Sequence, residues 1–202
     1  MMKKAFTIVE LLMVIGVISV LVTIVTTAAS NSIRSSRAQR TKAMKTALQT
    51  AITTYQAADS QGLWPGALKT ASDGGVTCAL SQNEAQNVFR IIVQRSTGES
   101  GARLPLIDPH GLFVAPIGAQ DGKTAGLSFD DARRKGPHRQ RTLRVSDMEF
   151  GFPGRISGKF HHFNIVYHAE SDSVTVSTCC EKCLKNDGNC KDHKCKYCHA
   201  DE

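Results

Sequence analysis

Met1-Met2-Lys3-Lys4-Ala5-Phe6-Thr7-Ile8-Val9-Glu10, followed by Leu11-Leu12-Met13-Val14-Ile15-Gly16-Val17-Ile18-Ser19-Val20-Leu21-Val22-Thr23-Ile24-Val25, is the stretch that decides how the rest of this 202-residue chain is organised. Two lysines precede an apolar run long enough to span a bilayer, which takes about 20 residues. One carboxylate, Glu10, stands near the start of that run. A charge inside a membrane-length segment costs roughly 2.5–3.5 kcal/mol near the helix centre and less near its end, so Glu10 calls for a reason.

The sequence does not break after Val25. From Thr26 to Ala58 there is no Pro and no Gly, and the residues become polar gradually. Met44, Leu48, Ile52 and Tyr55, with Ala47 and Ala51 beside them, recur at the spacing of one helix face. Arg34, Arg37, Arg40, Lys42 and Lys45 take much of the remaining surface. A single helix from Phe6 to Ala58 would be about 80 Å long. Gly62 and Pro65 are placed to stop it.

Lys-Lys-Ala-Phe-Thr-Ile-Val-Glu-Leu-Leu resembles the prepilin-type cleavage and methylation signal of type IV pilins and type II secretion pseudopilins. The resemblance covers roughly the first 25 to 30 residues. It implies that a short leader, residues 1–5, is removed by a prepilin peptidase between Ala5 and Phe6, and that Phe6 becomes an N-methylated N-terminus. Glu10 is then the fifth mature residue, the family's assembly glutamate. Ala5 stands where the family usually has Gly. A removed secretory signal would have a shorter apolar region and no embedded carboxylate. A plain single-pass anchor would give way to a linker rather than to a second helical stripe.

Residues 6–29 are thus expected to form the transmembrane and assembly helix, 30–178 a head that includes the amphipathic half of the helix, and 179–202 a separate tail. Lys3 and Lys4 place the N-terminus in the cytoplasm and export the head. The formal charge of +7 does not single out nucleic acid, because Lys and Arg are spread over several segments without interleaved aromatics. Specific nucleic-acid binding is not expected.

Within the head, Ser81-Gln82-Asn83-Glu84 has capping-box spacing and starts a second helix running to Ser96-Thr97-Gly98. Leu63-Trp64-Pro65-Gly66 opens the loop before it, with Trp64 as a core cap. Asp108-Pro109-His110-Gly111 reads as a turn delivering Leu112, Phe113 and Val114 into a strand. It is similar to the Asp-Pro-Trp-Gly turn of major pseudopilins, with His110 in place of Trp. Residues 119–136 read as loop with a short helix at Asp130–Arg134. Arg133, Arg134, Lys135, Arg139, Arg141 and Arg144 form a basic run whose ordinary reading is a solvated loop. Short strands are expected at Leu143–Val145 and Met148–Phe152, a long one at Phe160–His168, and its return at Ser173–Thr178. The fold class is α+β, a long helix packed by its second half on a small antiparallel sheet.

The tail has a different character. Cys179, Cys180, Cys183, Cys190, Cys195 and Cys198, six of the chain's seven cysteines, crowd into it with almost no apolar residues. Such a segment needs cross-links or a metal to hold a shape. Disulfides suit an exported chain, in any of fifteen pairings, with Cys78 left over or exchanging into the set. Zinc could take Cys180-x-x-Cys183 with Cys195-x-x-Cys198. Cys195-Lys196-Tyr197-Cys198-His199 also matches the c-type haem attachment pattern. All three remain open, and no cofactor is required by the rest of the chain.

No catalytic constellation stands out. Serines near His161 and His162 lack the context of an activated nucleophile. The expected function is a non-enzymatic subunit of a type II secretion pseudopilus or type IV pilus-like filament. Its partners would be prepilin peptidase, other pilin-like subunits and an inner-membrane assembly platform. The alternatives are a membrane-anchored metal- or haem-carrying protein that never polymerises, and a minor tip subunit whose tail binds a partner.

Overall fold

The computed structural model describes residues 8–58, 77–99, 101, 103–134, 143–154, 158–171 and 173–178. The first element, α1, runs without a break from Ile8 to Ala58. The chain divides into two compact units, with the boundary between Ser36 and Arg37. In the first unit, every described side chain is exposed. Many of its residues are β-branched and poor helix formers in water. A helix is nevertheless the one local structure that satisfies every backbone group of an apolar segment without water.

The second unit is α+β. Its α1 residues bury one face: Thr41, Met44, Leu48, Ala51, Ile52 and Tyr55 are buried, while Lys42, Thr46 and Thr50 are exposed. Strand β1 is Cys78–Ala79. Helix α2, Gln82–Thr97, begins at the capping box: the Ser81 hydroxyl accepts from the Glu84 amide at 3.4 Å, and the Ser81 amide donates to Glu84 Oε2 at 2.9 Å. It ends at Gly98, whose φ of 80° is the left-handed conformation that favours glycine at a helix end. Its buried face includes Val88, Phe89, Ile92 and Val93.

The Asp-Pro-His-Gly turn forms a short 3-10 helix, Pro109–Gly111, in which the Asp108 carboxylate accepts from the His110 amide at 3.1 Å. It leads into β2, Phe113–Pro116. Then come β3 (Leu127–Ser128), α3 (Phe129–Arg133), a 3-10 turn at Val145–Asp147, β4 (Met148–Pro153), β5 (Phe160–His162), β6 (Asn164–His168) and β7 (Ser173–Ser177). The strands make two antiparallel sheets, ordered β1-β6-β7 and β3-β2-β4-β5.

Several expectations change. The long strand expected at Phe160–His168 is two strands, interrupted at Phe163 and belonging to different sheets. The single small sheet is therefore two. Leu143–Val145 is not a strand, and its end starts the 3-10 turn instead. The loop expected over 119–136 contains β3 as well as the short helix, which begins one residue earlier than expected. The expected features at Gly62, Trp64, Pro65, Lys135, Arg139 and Arg141 lie outside the described residues.

Two glutamines explain how the sheets close. Where the chain leaves β5 for β6, buried Gln86 accepts from the Phe150 amide at 2.6 Å and donates to the carbonyls of Phe150 and Phe163 at 3.0 and 3.3 Å. Its amide satisfies backbone groups that a continuous strand would have paired. On the outer edge of β7, the Gln49 side chain accepts from the Val176 amide at 2.6 Å and donates to the Val174 carbonyl. A side chain of α1 thus occupies an edge that would otherwise be open to another strand.

The core lies among α1, α2 and the two sheets. Phe152 and Phe163 are 5.0 Å apart between ring centroids, and Phe113 stacks on Phe160 at 6.0 Å. Gly151 is required by this packing: a Cβ there would run into the His161 carbonyl oxygen and come within 2.7 Å of the Phe160 ring.

Candidate functional site

Of the residues expected to carry processing and assembly, the assembly glutamate falls within α1. Ala5 and Phe6 lie outside the described residues. Glu10 is in the first turn of α1 and is exposed. It is the one ionisable side chain between Ile8 and Ile33. Around it Leu11, Leu12, Met13, Val14 and Ile15 are all exposed large hydrophobics, and the pattern continues to Ile33. The helix is long and apolar enough to cross a membrane.

Its few polar groups fit that solvent. The hydroxyls of Ser19, Thr23, Thr26 and Thr27 donate to the carbonyls four residues earlier at 2.8–3.0 Å, and that of Ser30 to Thr27 at 2.9 Å. Each donor is satisfied inside the helix, as hydrocarbon demands. Glu10 is the one carboxylate of the segment.

Cys179, Cys180, Cys183, Cys190, Cys195, Cys198, His193 and His199 lie outside the described residues, so the choice among disulfide, zinc and haem stays where the sequence leaves it. Cys78, half-buried on β1, has no disulfide partner among the described residues. Among the described residues no group of three or more His, Cys, Asp or Glu side chains is placed to hold a metal ion. His110 pairs instead with Asp130, Nδ1 to Oδ1 at 2.6 Å; that hydrogen bond, with the charges of Asp130 and Asp108, raises its pKa.

A cleft of about 720 Å³ lies beside this pair, lined among others by Arg103, Leu106, Asp108, Phe129 and Arg133. Its charges are largely spent on the fold: Arg133 pairs with Glu99, and Arg103 Nε donates to the Ser96 carbonyl at 3.0 Å. Arg133 also sits 5.6 Å from the centre of the Phe129 ring. Of the basic run noted in the sequence, Arg133 is therefore structural.

A second group of charged side chains in the head has no local signature in the sequence. His162 of β5 is buried, with Nδ1 2.5 Å from Asp121 Oδ1 and Nε2 2.8 Å from Glu149 Oε2. Burial opposes its charge, but hydrogen bonds and Coulomb attraction from the two carboxylates overcome it and push the pKa up to about 9. Burial likewise opposes ionisation of Asp121 and Glu149, and His162 outweighs it, so both carboxyls titrate below their ordinary values. Neighbouring His161, also buried, has its pKa lowered by burial and by the charge on His162.

The cluster fastens a loop to a strand edge. Glu149 accepts from the amides of Gly118 and Ala119 at 3.2 Å, and Asp121 accepts from the His162 amide at 2.9 Å. The Gly122 amide donates to the Phe160 carbonyl at 2.9 Å, and the Phe160 amide to the Thr124 carbonyl at 3.0 Å. Residues 117–124 thereby cover the outer edge of β5. Both ring nitrogens of His162 are engaged, leaving none for a substrate; the cluster is a fastening. The adjacent histidines on an expected strand were the available signal, but nothing local names Asp121 or Glu149 as their partners.

No family model, no curated protein and no solved structure matches this chain. The family is therefore a matter of the N-terminal residues themselves. What stands plainly is an α+β protein with one long apolar N-terminal helix that could span a membrane.

Proposed function

We propose that this protein is a subunit of a type II secretion pseudopilus or a type IV pilus-like filament. The observation that carries the proposal is the apolar part of α1: fully exposed, with its hydroxyls internally satisfied, and bearing one carboxylate in its first turn. A segment of this kind is solvated by lipid before assembly and by other copies of itself afterwards. That α1 continues to Ala58 and buries Met44, Leu48 and Ile52 in the head core supports the same reading.

In this mechanism prepilin peptidase cuts between Ala5 and Phe6, and Phe6 is N-methylated. The subunit waits in the inner membrane with its N-terminus cytoplasmic and its head exported. Glu10 lies about one helical turn from the new amine. Pairing of Glu10 with the Phe6 amine of a neighbouring copy neutralises both charges in lipid and sets the register between helices. The globular heads coat the resulting fibre, and the protein is not an enzyme.

Mass spectrometry of the mature N-terminus tests the processing step. N-methylated Phe6 is expected in cells with an active peptidase, and an intact Met1 there removes the filament reading. Glu10→Val should leave membrane insertion intact and abolish incorporation; unimpaired assembly refutes the role given to that carboxylate.

A further inference from the structure

We propose that residues 117–124 are a strap that lets go of β5 at its Asp121 end when the His162 imidazolium loses its proton, uncovering the outer edge of that strand while the core of the head stays folded. The strap belongs to the head alone, whatever α1 assembles into.

The donors at the imidazole ring are the reason. His162 is held between two carboxylates, Asp121 on Nδ1 at 2.5 Å and Glu149 on Nε2 at 2.8 Å. An ionised carboxylate only accepts, so both ring nitrogens must carry hydrogen, which is the imidazolium. A neutral imidazole has one N–H and one lone pair. One carboxylate would then face that lone pair with no hydrogen between them. The titratable groups around the ring are Asp121 from the strap, Glu149 from β4 and His161 beside it on β5. Both carboxyls titrate below their ordinary values and His161 below its own, so in alkaline solution His162 is the member of the group that changes charge.

Exposure decides which carboxylate is lost. The Glu149 side chain is 8% exposed and that of Asp121 43%. Water can replace a hydrogen bond at Asp121 far more readily than at Glu149. The remaining proton therefore stays on Nε2, and Asp121 is released.

The strap is divided in the same way. Its near end is tied elsewhere, by the Ile117 amide to the Asp147 carbonyl at 3.1 Å and by the Gly118 and Ala119 amides to Glu149. Its far end is a turn closed on itself: the Lys123 and Thr124 amides donate to the Gln120 carbonyl at 3.1 and 3.0 Å, and the Gln120 amide to Thr124 Oγ1 at 2.8 Å. That turn meets β5 through Asp121, the Gly122 amide and the Thr124 carbonyl, while Lys159 Nζ donates to the Lys123 carbonyl at 3.2 Å. It can lift as a unit and keep its internal bonds. Lifting uncovers the Phe160 amide and carbonyl and the His162 amide, the groups of an open strand edge. The β7 edge differs, because the Gln49 amide that caps it has no proton to lose. One edge is closed at every pH and the other conditionally. With the His162 pKa pushed up to about 9, the strap is shut at neutral pH and opens in alkaline solution.

Hydrogen exchange of the full-length protein in a neutral detergent tests this, resolved to single amides and corrected for the intrinsic rate at each pH. Between about pH 7 and about pH 10, protection of the Gly122, Phe160 and His162 amides should fall at least about tenfold. The Gly118, Ala119 and Val176 amides, the first two on Glu149 and the last on Gln49, should stay within about twofold. His162→Gln should leave the far end poorly protected at both pH values and so abolish the step. Asp121→Asn should also abolish it, because a side-chain amide can donate to a bare Nδ1. The wild-type comparison decides by itself if either variant fails to fold. Gly122 and Phe160 amides that keep their protection at the higher pH overturn the proposal. So does release of Gly118 and Ala119 along with them, or a parallel loss at Val176, which would be unfolding of the whole head. A step that survives in either variant overturns it as well.

Discussion

Replacing His162 with Gln should remove a pH-dependent part of the head's stability. His162 goes from an ordinary value of 6.5 when unfolded to about 9 when folded, a change worth roughly 3.4 kcal/mol. The Asp121 side chain is 43% exposed, so solvent screens part of that interaction and about 2–3 kcal/mol is the expected magnitude. A group whose pKa is raised by folding stabilises fully below its unfolded value. The contribution is therefore complete below about pH 6.5 and is lost as the pH rises toward about 9. Asp121 and Glu149, whose pKa values are lowered, have the opposite dependence: their contribution is present above the ordinary carboxylate range and lost as the pH falls through it. The cluster should stabilise most in mildly acidic solution. Urea titrations of wild type and His162→Gln, followed by circular dichroism in detergent, measure the difference at about pH 6 and about pH 9. Because groups away from the cluster titrate in both proteins alike, and Asp121 and Glu149 have their shifts in the acid range, the gap between wild type and variant is the quantity that matters. It should shrink from about 2–3 kcal/mol to near zero across that interval. A gap that stays constant would refute the buried imidazolium.

Three further substitutions probe the scaffold by the same urea titrations. Gln86→Leu strands the Phe150 amide and the Phe163 carbonyl, and should cost about 3–5 kcal/mol; a cost below about 1 kcal/mol would mean that the junction between sheets does not depend on this side chain. Gly151→Ala forces a methyl group against the His161 carbonyl and the Phe160 ring and should destabilise by about 3 kcal/mol, whereas a neutral result would show that β4 and β5 can separate freely. Ser81→Ala removes one half of the capping box and should cost about 1 kcal/mol, with the Glu84 carboxyl losing the hydroxyl hydrogen bond that does most to hold its pKa down; an unchanged midpoint would show that the cap adds nothing to α2.

The local features of the head were readable because their causes are local. Ser81 and Glu84 are three residues apart, and each satisfies the other's backbone. Met44, Leu48 and Ile52 share a face because the helix repeats every 3.6 residues. Asp108 holds the amide two residues on, which makes the turn before β2. Phe160–His168 misled for the opposite reason. An uninterrupted strand-forming composition gives no sign that the chain changes sheets at Phe163. The break is stabilised by Gln86, far away in sequence.

The same division applies to function. Sequence alone determined the apolar helix, the single carboxylate at Glu10 and the run of cations that follows without an acid, because each is a property of consecutive residues in one helix. Only the tertiary structure decided which polar groups meet. It placed Gln49 on the β7 edge and closed Asp121, Glu149 and the buried His162 into one ion cluster. Those partners come from separate strands and loops, and burial makes His162 and Glu149 costly to leave charged without one another.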